Sequence, residues 1–309
     1  MNGISRRFLF DQVVDNVYLS ITALFRLNSM GKKIVQGGYQ VEVPLMWSKF
    51  AAGGFYQGYD LLDITPSDTV KNGAWDWKQA YVPVTVSGLD LIRADSPEAV
   101  VNLLRLQFEQ AQMQLADQLG NSVWTDASTN QKNIDGLKGA IDDGTVAATY
   151  AGITRSSNAF WKSQIDSSTT TLTLASMQTM FGNCQAGGRT PTVLFATQAN
   201  YNRYWALNTS GQAFPVQPAG HDAQLAQSGF SNLVFNGVPI LVDSYVPANH
   251  IFFCNENYMY LLVHPRGDFD FNEFREPVNQ DAMTALILWA GNLIVTNCAR
   301  QGKMTALTA

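Results

Sequence analysis

From Ser96 to about Trp124 the sequence reads as one uninterrupted amphipathic helix, and a rod of that length limits everything that can be built around it. Ser96 suits the N-cap, Pro97 the first helical position, and Glu98 sets negative charge at the positive end of the helix dipole. Val100, Leu104, Phe108, Ala111, Leu115 and Leu119 recur every three or four residues and form one apolar stripe. Asn102, Arg105, Gln107, Glu109, Gln110, Gln112, Gln114, Asp117 and Gln118 lie between them and tolerate water. At ~1.5 Å per residue the helix is about 40 Å long, the width of a small domain. Either it crosses the molecule as a spine, or it is an ordinary core helix that frays near Gly120 and Asn121.

What surrounds the helix is globular but poor in charge. Only 15% of the 309 residues are charged, against roughly 25% in typical soluble domains. Amides take their place, with 22 Asn and 21 Gln. Such a surface is hydrated yet repels itself weakly, which suits subunits packed densely against copies of themselves. The net charge of −5 excludes a nucleic-acid binder of the basic kind. The first 35 residues run the other way, with Arg6, Arg7, Arg26, Lys32 and Lys33 against Asp11 and Asp15. Cys184, Cys254 and Cys298 are scattered, odd in number and without ligand-spaced neighbours, so neither a disulfide framework nor a zinc site is expected, and a reducing compartment is. Phe8-Leu9-Phe10 is too short for a signal-peptide core, and the longest apolar run, Ala282 to Val295, contains Asn292 and is too short to span a bilayer. The expectation is a soluble chain that is not exported by the usual route.

Residues 1 to about 35 carry a helical pattern in Val13, Val14, Val17, Ile21, Leu24 and Phe25, with no partner helix nearby. An isolated helix of that length is marginal in water, so it reads as an arm lying on something else. Two strand-like runs follow. Tyr39 to Trp47 puts Val41, Val43, Leu45 and Trp47 on one face; Trp75 to Val86 puts Trp75, Trp77 and Tyr81 on one face and Val82, Val84 and Val86 on the other. The 27 residues between them, Ser48 to Ala74, hold four glycines beside Phe50, Phe55, Tyr56 and Tyr59. A loop so long is functional or disordered, and its aromatic content argues against plain disorder. A lone hairpin is barely stable in water, so this one needs another surface, which a second subunit would supply.

Beyond the long helix, Gly136-Leu137 opens a region to about His264 with the lengths of a compact α+β unit. Leu174 to Cys184 is a short helix, Thr192 to Ala196 a buried strand, and Thr197 the cap of a helix running to Leu207. Leu233 to Phe235, Asn236-Gly237 and Val238 to Val242 form a hairpin signal, since Asn-Gly supplies the positive φ angles of a type I′ turn. Ile251 to Cys254 and Tyr258 to Val263 are read as completing the sheet, with 208 to 229 a loop at its edge. The last stretch returns to strands at Phe269 to Glu276, Ala282 to Trp289 and Leu293 to Cys298, with Gly291-Asn292 near a turn.

No catalytic constellation emerges. His221, His250 and His264 stand in no HExxH frame, and there is no nucleophile elbow or P-loop. Asp60, Asp63 and Asp68 lack the order of a calcium loop, and Asp142-Asp143-Gly144 is most simply a turn. Arg266-Gly267-Asp268 and the sequon Asn208-Thr209-Ser210 are matches of the kind chance supplies, and Gly53-Gly54 lacks the strand-then-helix context of a phosphate cradle. No catalytic residue, cofactor or metal ligand is assigned.

Several short motifs carry a family resemblance. Trp75-x-Trp77 and Pro83-x-x-Val86-Ser87-Gly88 stand before the long helix and Gly136-Leu137 after it. Tyr150-x-Gly152-Ile153-x-Arg155 with Trp161, then Gly237-Val238-Pro239 and Gly291-Asn292-Leu293, follow in order. Over nearly its whole length the chain resembles the major capsid proteins of tailed bacteriophages with the HK97-type fold. The resemblance implies an α+β capsid fold: an N-terminal arm at 1–35, an extended β-hairpin loop at 36–87, a peripheral domain at 88–133 and 265–309 with the spine helix, and an axial domain at 134–264. It implies self-assembly as hexamers and pentamers into an icosahedral shell around double-stranded DNA, touched weakly and without specificity. The location would be the virion capsid, assembled in the host bacterial cytoplasm, with a portal, separate scaffolding or decoration proteins as further partners and no membrane. The scaffolding segment that some members carry ahead of the arm would be absent or already removed. Lys49 and Lys71 lie in the loop, but no signal marks either for the lysine–asparagine cross-link of other members.

The expected assembly contacts are Trp47, Phe50, Phe55, Tyr56, Tyr59, Trp75 and Trp77 on the hairpin and Arg6 and Arg7 on the arm. The three tryptophans are expected to pair across the hairpin and present one exposed apolar face. The alternative is a soluble enzyme or carbohydrate-binding protein whose aromatic, Gly-rich loop lines a ligand groove; it leaves the spine and the charge deficit unexplained.

Overall fold

The computed structural model describes residues 21–35, 37–50, 52–93, 97–126, 130–185, 187–209 and 233–308. Most of the expected arm, including Arg6 and Arg7, lies outside them, as does most of the loop at 208–229.

The described chain starts with α1 (Thr22–Gly31), which buries Ala23, Leu24 and Leu27 in the protein's own core. Its first turn is capped from afar: the Ala23 N–H donates to the Asp243 carboxylate at 3.0 Å. Arg26 is held by Glu256 at 2.6 Å in a buried ion pair. The part of the arm that is described therefore lies on its own subunit. Gly31 ends the helix where a Cβ would stand 2.6 Å from the Met259 carbonyl, and β1 (Lys32–Ile34) continues from it.

The hairpin is β2 (Gln40–Met46) against β3 (Val70–Asp76), in register from Gln40 opposite Asp76 to Met46 opposite Val70. The run expected from Trp75 to Val86 is thus broken at Trp77. Beyond it β4 (Lys78–Ser87) belongs to another sheet, with Val82, Val84 and Val86 buried. After the short α2 (Gly88–Arg93) comes the long helix α3 (Pro97–Trp124). Leu104, Phe108, Ala111, Leu115 and Leu119 are all buried, continued by Val123 and Trp124. The helix does not fray at Gly120. That glycine is required by packing, because a Cβ there would stand 2.7 Å from the Tyr245 ring. Ser96 lies outside the described residues.

Gly136 then meets the helix C-terminus so closely that a Cβ would come within 2.2 Å of the Thr125 carbonyl. From it follow α4 (Leu137–Ala140) and the tight hairpin of β5 (Thr149–Tyr150) and β6 (Ile153–Thr154). Its turn residues Ala151 and Gly152 both have positive φ, 52° and 75°. Next come a single 3-10 turn at Ala159–Trp161, β7 (Gln164–Asp166) and α5 (Leu174–Cys184). Thr173 and Ser176 form a reciprocal capping box on α5. The fully buried β8 (Val193–Ala196) leads into α6 (Gln198–Thr209), where the Thr197 hydroxyl accepts the Asn200 N–H at 3.3 Å. β9 (Leu233–Phe235) and β10 (Val238–Val242) pair across Asn236 and Gly237, whose φ angles of 50° and 80° are those of the expected turn. β11 (Ile251–Cys254), β12 (Met259–Val263), β13 (Asp270–Arg275), β14 (Ala282–Val295) and β15 (Gly302–Met304) complete the chain.

These strands form two main sheets. One has the order β1-β12-β14-β13, with β4 on the other edge of β14; the second has the order β7-β15-β11-β8-β10-β9. Three expectations change here. β12 does not complete the sheet of β11: the turn at Asn255 and Glu256 sends it into the five-stranded sheet, antiparallel to β14. β15 comes back to the six-stranded sheet, between β7 and β11. A division at residue 264 therefore does not follow sheet membership. Nor is there a turn at Gly291-Asn292. β14 runs unbroken for 14 residues, and Gly291 is where a Cβ would stand 2.3 Å from the Leu262 carbonyl and against the Trp289 ring.

The long helix joins the two sheets. Phe108 packs on Phe271 of β13 at 5.4 Å, and Trp124 meets Phe195 and Phe252 of the six-stranded sheet at 5.3 and 5.0 Å. It is a spine, and the reading of it as a fraying core helix falls. Among the described residues no helix is long and apolar enough to cross a membrane.

Candidate assembly surface

The hairpin has an anchored base and an exposed tip. At the base Trp75 is 1% exposed. Its ring stands edge-on to Tyr150 at 6.1 Å and folds back over Gly73, where a Cβ would lie 2.7 Å from the indole. The Ala74 N–H donates to the Ala151 carbonyl at 3.1 Å, tying β3 to the turn between β5 and β6. Trp77 donates through Nε1 to the Gly38 carbonyl at 3.1 Å and meets His264 edge-on at 5.5 Å. Trp47, 39% exposed, stacks on Phe160 at 5.5 Å.

The expectation of one shared tryptophan face is therefore corrected. Each indole contacts a different part of its own subunit, and Trp75 has no surface left to offer a neighbour. The physical reason is the break at Trp77, which separates a run that looks continuous in sequence into strands of two sheets.

Among the described residues between Trp47 and Thr69 there is no strand, and the backbone closes there with the Trp47 N–H on the Thr69 carbonyl at 3.0 Å. The aromatic residues singled out in the sequence, Phe50, Phe55, Tyr56 and Tyr59, are all exposed, and Phe50 keeps 74% of its surface. Leu61, Leu62 and Ile64 are exposed beside them. The sequence reading missed these three, although an aliphatic cluster among aromatic residues in one loop was the signal. The Asp63 carboxylate accepts from the hydroxyl and the N–H of Thr65, which together hold it below its ordinary range. Monomeric proteins rarely expose so much contiguous apolar surface unless it meets a partner.

Behind the hairpin base the turn at Asp142-Asp143-Gly144 is also the centre of a buried polar network. Asp142 is fully buried; it accepts from the N–H groups of Gly144, Val146 and Ala147 and from Lys303 Nζ at 3.1 Å. Burial alone would raise its carboxyl, but these donors outweigh that and hold it below the ordinary 3.8. Lys303, buried on β15, also donates to the Lys138 carbonyl at 3.0 Å, and burial pushes its ammonium below the usual lysine range. Arg155 spreads its guanidinium over the carbonyls of Gly139, Ala140, Ala147 and Trp161, at 2.6 to 3.2 Å. The Tyr150-to-Arg155 motif is thus a structural knot that holds α4, the β5–β6 turn and the C-terminal strand together.

The three cysteines are free and buried, and desolvation pushes the Cys184 and Cys298 thiols up to about 12. Burial pushes His250 down. Among the described residues no group of three or more His, Cys, Asp or Glu could hold a metal ion.

No protein-family model and no curated protein matches the chain. Solved structures do. The capsid asymmetric unit of cyanophage A-1(L) superposes with a TM-score of 0.68 at 15% identity, covering 92% of this chain and 93% of that one. This is the HK97-type fold. An encapsulin from Synechococcus elongatus, in its holo-SrpI complex, shares it with a TM-score of 0.60 at 12% identity over 93% and 89% of the two chains. A virus-like particle from Pyrococcus furiosus shares it at 0.54 and 10% identity over 97% and 99%. The HK97-type fold here keeps the chain order expected from the sequence: hairpin, spine helix, mixed α+β unit and returning strands.

Proposed function

We propose that the chain is the major capsid protein of a tailed bacteriophage, assembling as hexamers and pentamers into an icosahedral shell around double-stranded DNA. One observation carries the reading: the hairpin tip exposes Phe50, Phe55, Tyr59, Leu61 and Ile64 within one short segment. Burying an aromatic or aliphatic side chain of this size is worth roughly 1.5–3 kcal/mol, so the tip favours association with copies of the chain. The five-stranded sheet with the spine serves as the peripheral domain and the six-stranded sheet as the axial domain, with residues 302–304 returning to the latter. The weakly acidic balance suits an inner wall that does not trap its genome through counterion release. A portal, scaffolding protein and decoration protein are the further partners of this reading, and the host cytoplasm its place of assembly.

The ligand-groove alternative needs aromatic rings lining a concavity. Phe55 and Tyr59 instead stand fully exposed, and the concavity beside Trp47, Phe160 and Trp161 holds about 210 Å³, short of the roughly 300 Å³ of a ligand pocket. The test is electron microscopy of the purified protein, alone and with a scaffold from the same genome. Closed shells or capsomers are expected; a monodisperse monomer at high concentration with scaffold present overturns the proposal. Nuclease-protected DNA inside native particles separates a genome shell from a protein-cargo shell.

A further inference from the structure

We propose that Lys71 and Trp47, seated on Asn158 and Phe160, form a releasable clasp that sets the angle at which the hairpin leaves the subunit. Among the hairpin's contacts with the body, two differ in character. The inner one is Trp75, wholly buried against Tyr150, with the Ala74–Ala151 backbone bond beside it. The outer one lies where the ladder ends before the tip, with Lys71 opposite Leu45 on the next-to-last rung, and is part-exposed. There Lys71 Nζ donates to Asn158 Oδ1 at 2.6 Å and lies 5.5 and 5.9 Å from the ring centres of Trp47 and Phe160. A cation held by an amide and two stacked rings is selective for geometry but reversible in water.

The receiving side is preorganised. Asn158 Nδ2 donates to the Thr154 carbonyl at 2.8 Å, fixing which way the amide faces. Phe160 is backed by Trp161, 6.0 Å away, and Trp161 is itself buried and donates to the Tyr150 carbonyl at 3.0 Å. The arriving side is looser: a cavity of about 210 Å³ adjoins Trp47 and is bounded by Leu45, Met46, Trp161 and Arg300. The outer contact reaches solvent through the part-exposed Trp47, although Leu45 opposite Lys71 is buried; the inner contact is wholly buried.

Leverage gives the clasp its consequence. Ten residues of extended chain span at most ~35 Å, so a rotation of ~10° about the inner anchor moves the far end of the tip by up to about 6 Å. That exceeds the tolerance of a side-chain contact, so the clasp decides where Phe50, Tyr59 and Ile64 meet a neighbour. This last step rests on the shell reading; the clasp itself does not.

The experiment reads the two apart. Amide hydrogen exchange is measured on the unassembled subunit for wild type, for Trp47→Ala with Lys71→Met, and for the conservative pair Trp47→Phe with Lys71→Arg. Residues 41–47 and 69–73 are expected to exchange at least tenfold faster in the first variant, with the spine helix and residues 150–154 unchanged, and the conservative pair is expected to restore protection. Unchanged exchange in the hairpin, or acceleration shared by the spine, overturns the clasp. The same variants are then assembled with scaffold: fewer closed shells from the first pair and recovery with the second are expected. Normal shells from a loosened hairpin overturn the positioning role while leaving the shell function standing.

Discussion

Truncating Trp75 to alanine should unfold the subunit more readily while truncating Trp47 should not, although both indoles lie on the same hairpin. Trp75 is 1% exposed, stands against Tyr150 at 6.1 Å and covers Gly73, so its removal leaves a ring-sized hole that the rigid β5–β6 turn cannot close. Tryptophan-to-alanine changes in such sites cost about 3–5 kcal/mol, of which roughly 0.5–1.5 kcal/mol belongs to the aromatic pair beyond its buried area. At about 2–4 °C of melting temperature per kcal/mol, a fall on the order of 6–20 °C is expected. Trp47 keeps 39% of its surface and loses a stacked face and a part-exposed cation–π contact, so its truncation should move the melt by no more than about 3 °C. Trp75→Phe retains a ring over Tyr150 and should fall between the two. The assay is thermal melting of the unassembled subunit, followed by near-ultraviolet circular dichroism and calorimetry. A Trp75→Ala melt within about 2 °C of wild type would refute the assignment of this ring to the subunit core. Equal losses from both truncations would show that the hairpin has a single anchor.

Asp142 faces two buried cations, Lys303 at 3.1 Å and Arg155 at 3.7 Å, so Asp142→Asn should cost about 3–5 kcal/mol near neutral pH by leaving both uncompensated, and Lys303→Met should cost less because Arg155 still meets the carboxylate. Asp142 is held below its ordinary 3.8, so its charged form stabilises the fold above that value and the contribution is lost as pH falls through the lower folded value. Melting curves of wild type and Asp142→Asn should therefore differ most near neutrality and converge in acid, and a constant gap down to pH 2.5 would contradict this. Gly136→Ala places a methyl 2.2 Å from the Thr125 carbonyl and should sharply lower soluble yield, whereas Gly54→Ala, in open space, should not change it. Replacing Phe50, Tyr59 and Ile64 together by serine should leave the melt within about 2 °C and greatly reduce particle yield in sedimentation; normal yield would remove the tip from the assembly contacts. Thiol reagents should leave all three buried cysteines of the native subunit unmodified within minutes, and prompt labelling in a mass spectrum would contradict their burial.

What the sequence determined by itself is local. The spine helix follows from one apolar stripe at helical period, and Leu104 to Leu119 are buried as that stripe requires. The β9–β10 turn follows from Asn236-Gly237, and the start of α5 from the hydroxyls of Thr173 and Ser176. Each is settled by residues within a few positions of one another, where propensity and side-chain spacing act directly. Tertiary structure alone decided partnership. Nothing near residues 259–263 says that they leave β11 for β14, and nothing near 302–304 says that they return between β7 and β11. Trp75 and Trp77 share a strand face in the sequence, yet the chain changes sheets between them, burying one indole against Tyr150 and turning the other to His264. Asp142 looks like a turn residue beside Asp143 and Gly144, and is one; its buried charge is met by Lys303, 161 residues away. A strand or a carboxylate carries no local mark of its distant partner, because the free energy that selects the pairing arises only when both segments lose water together.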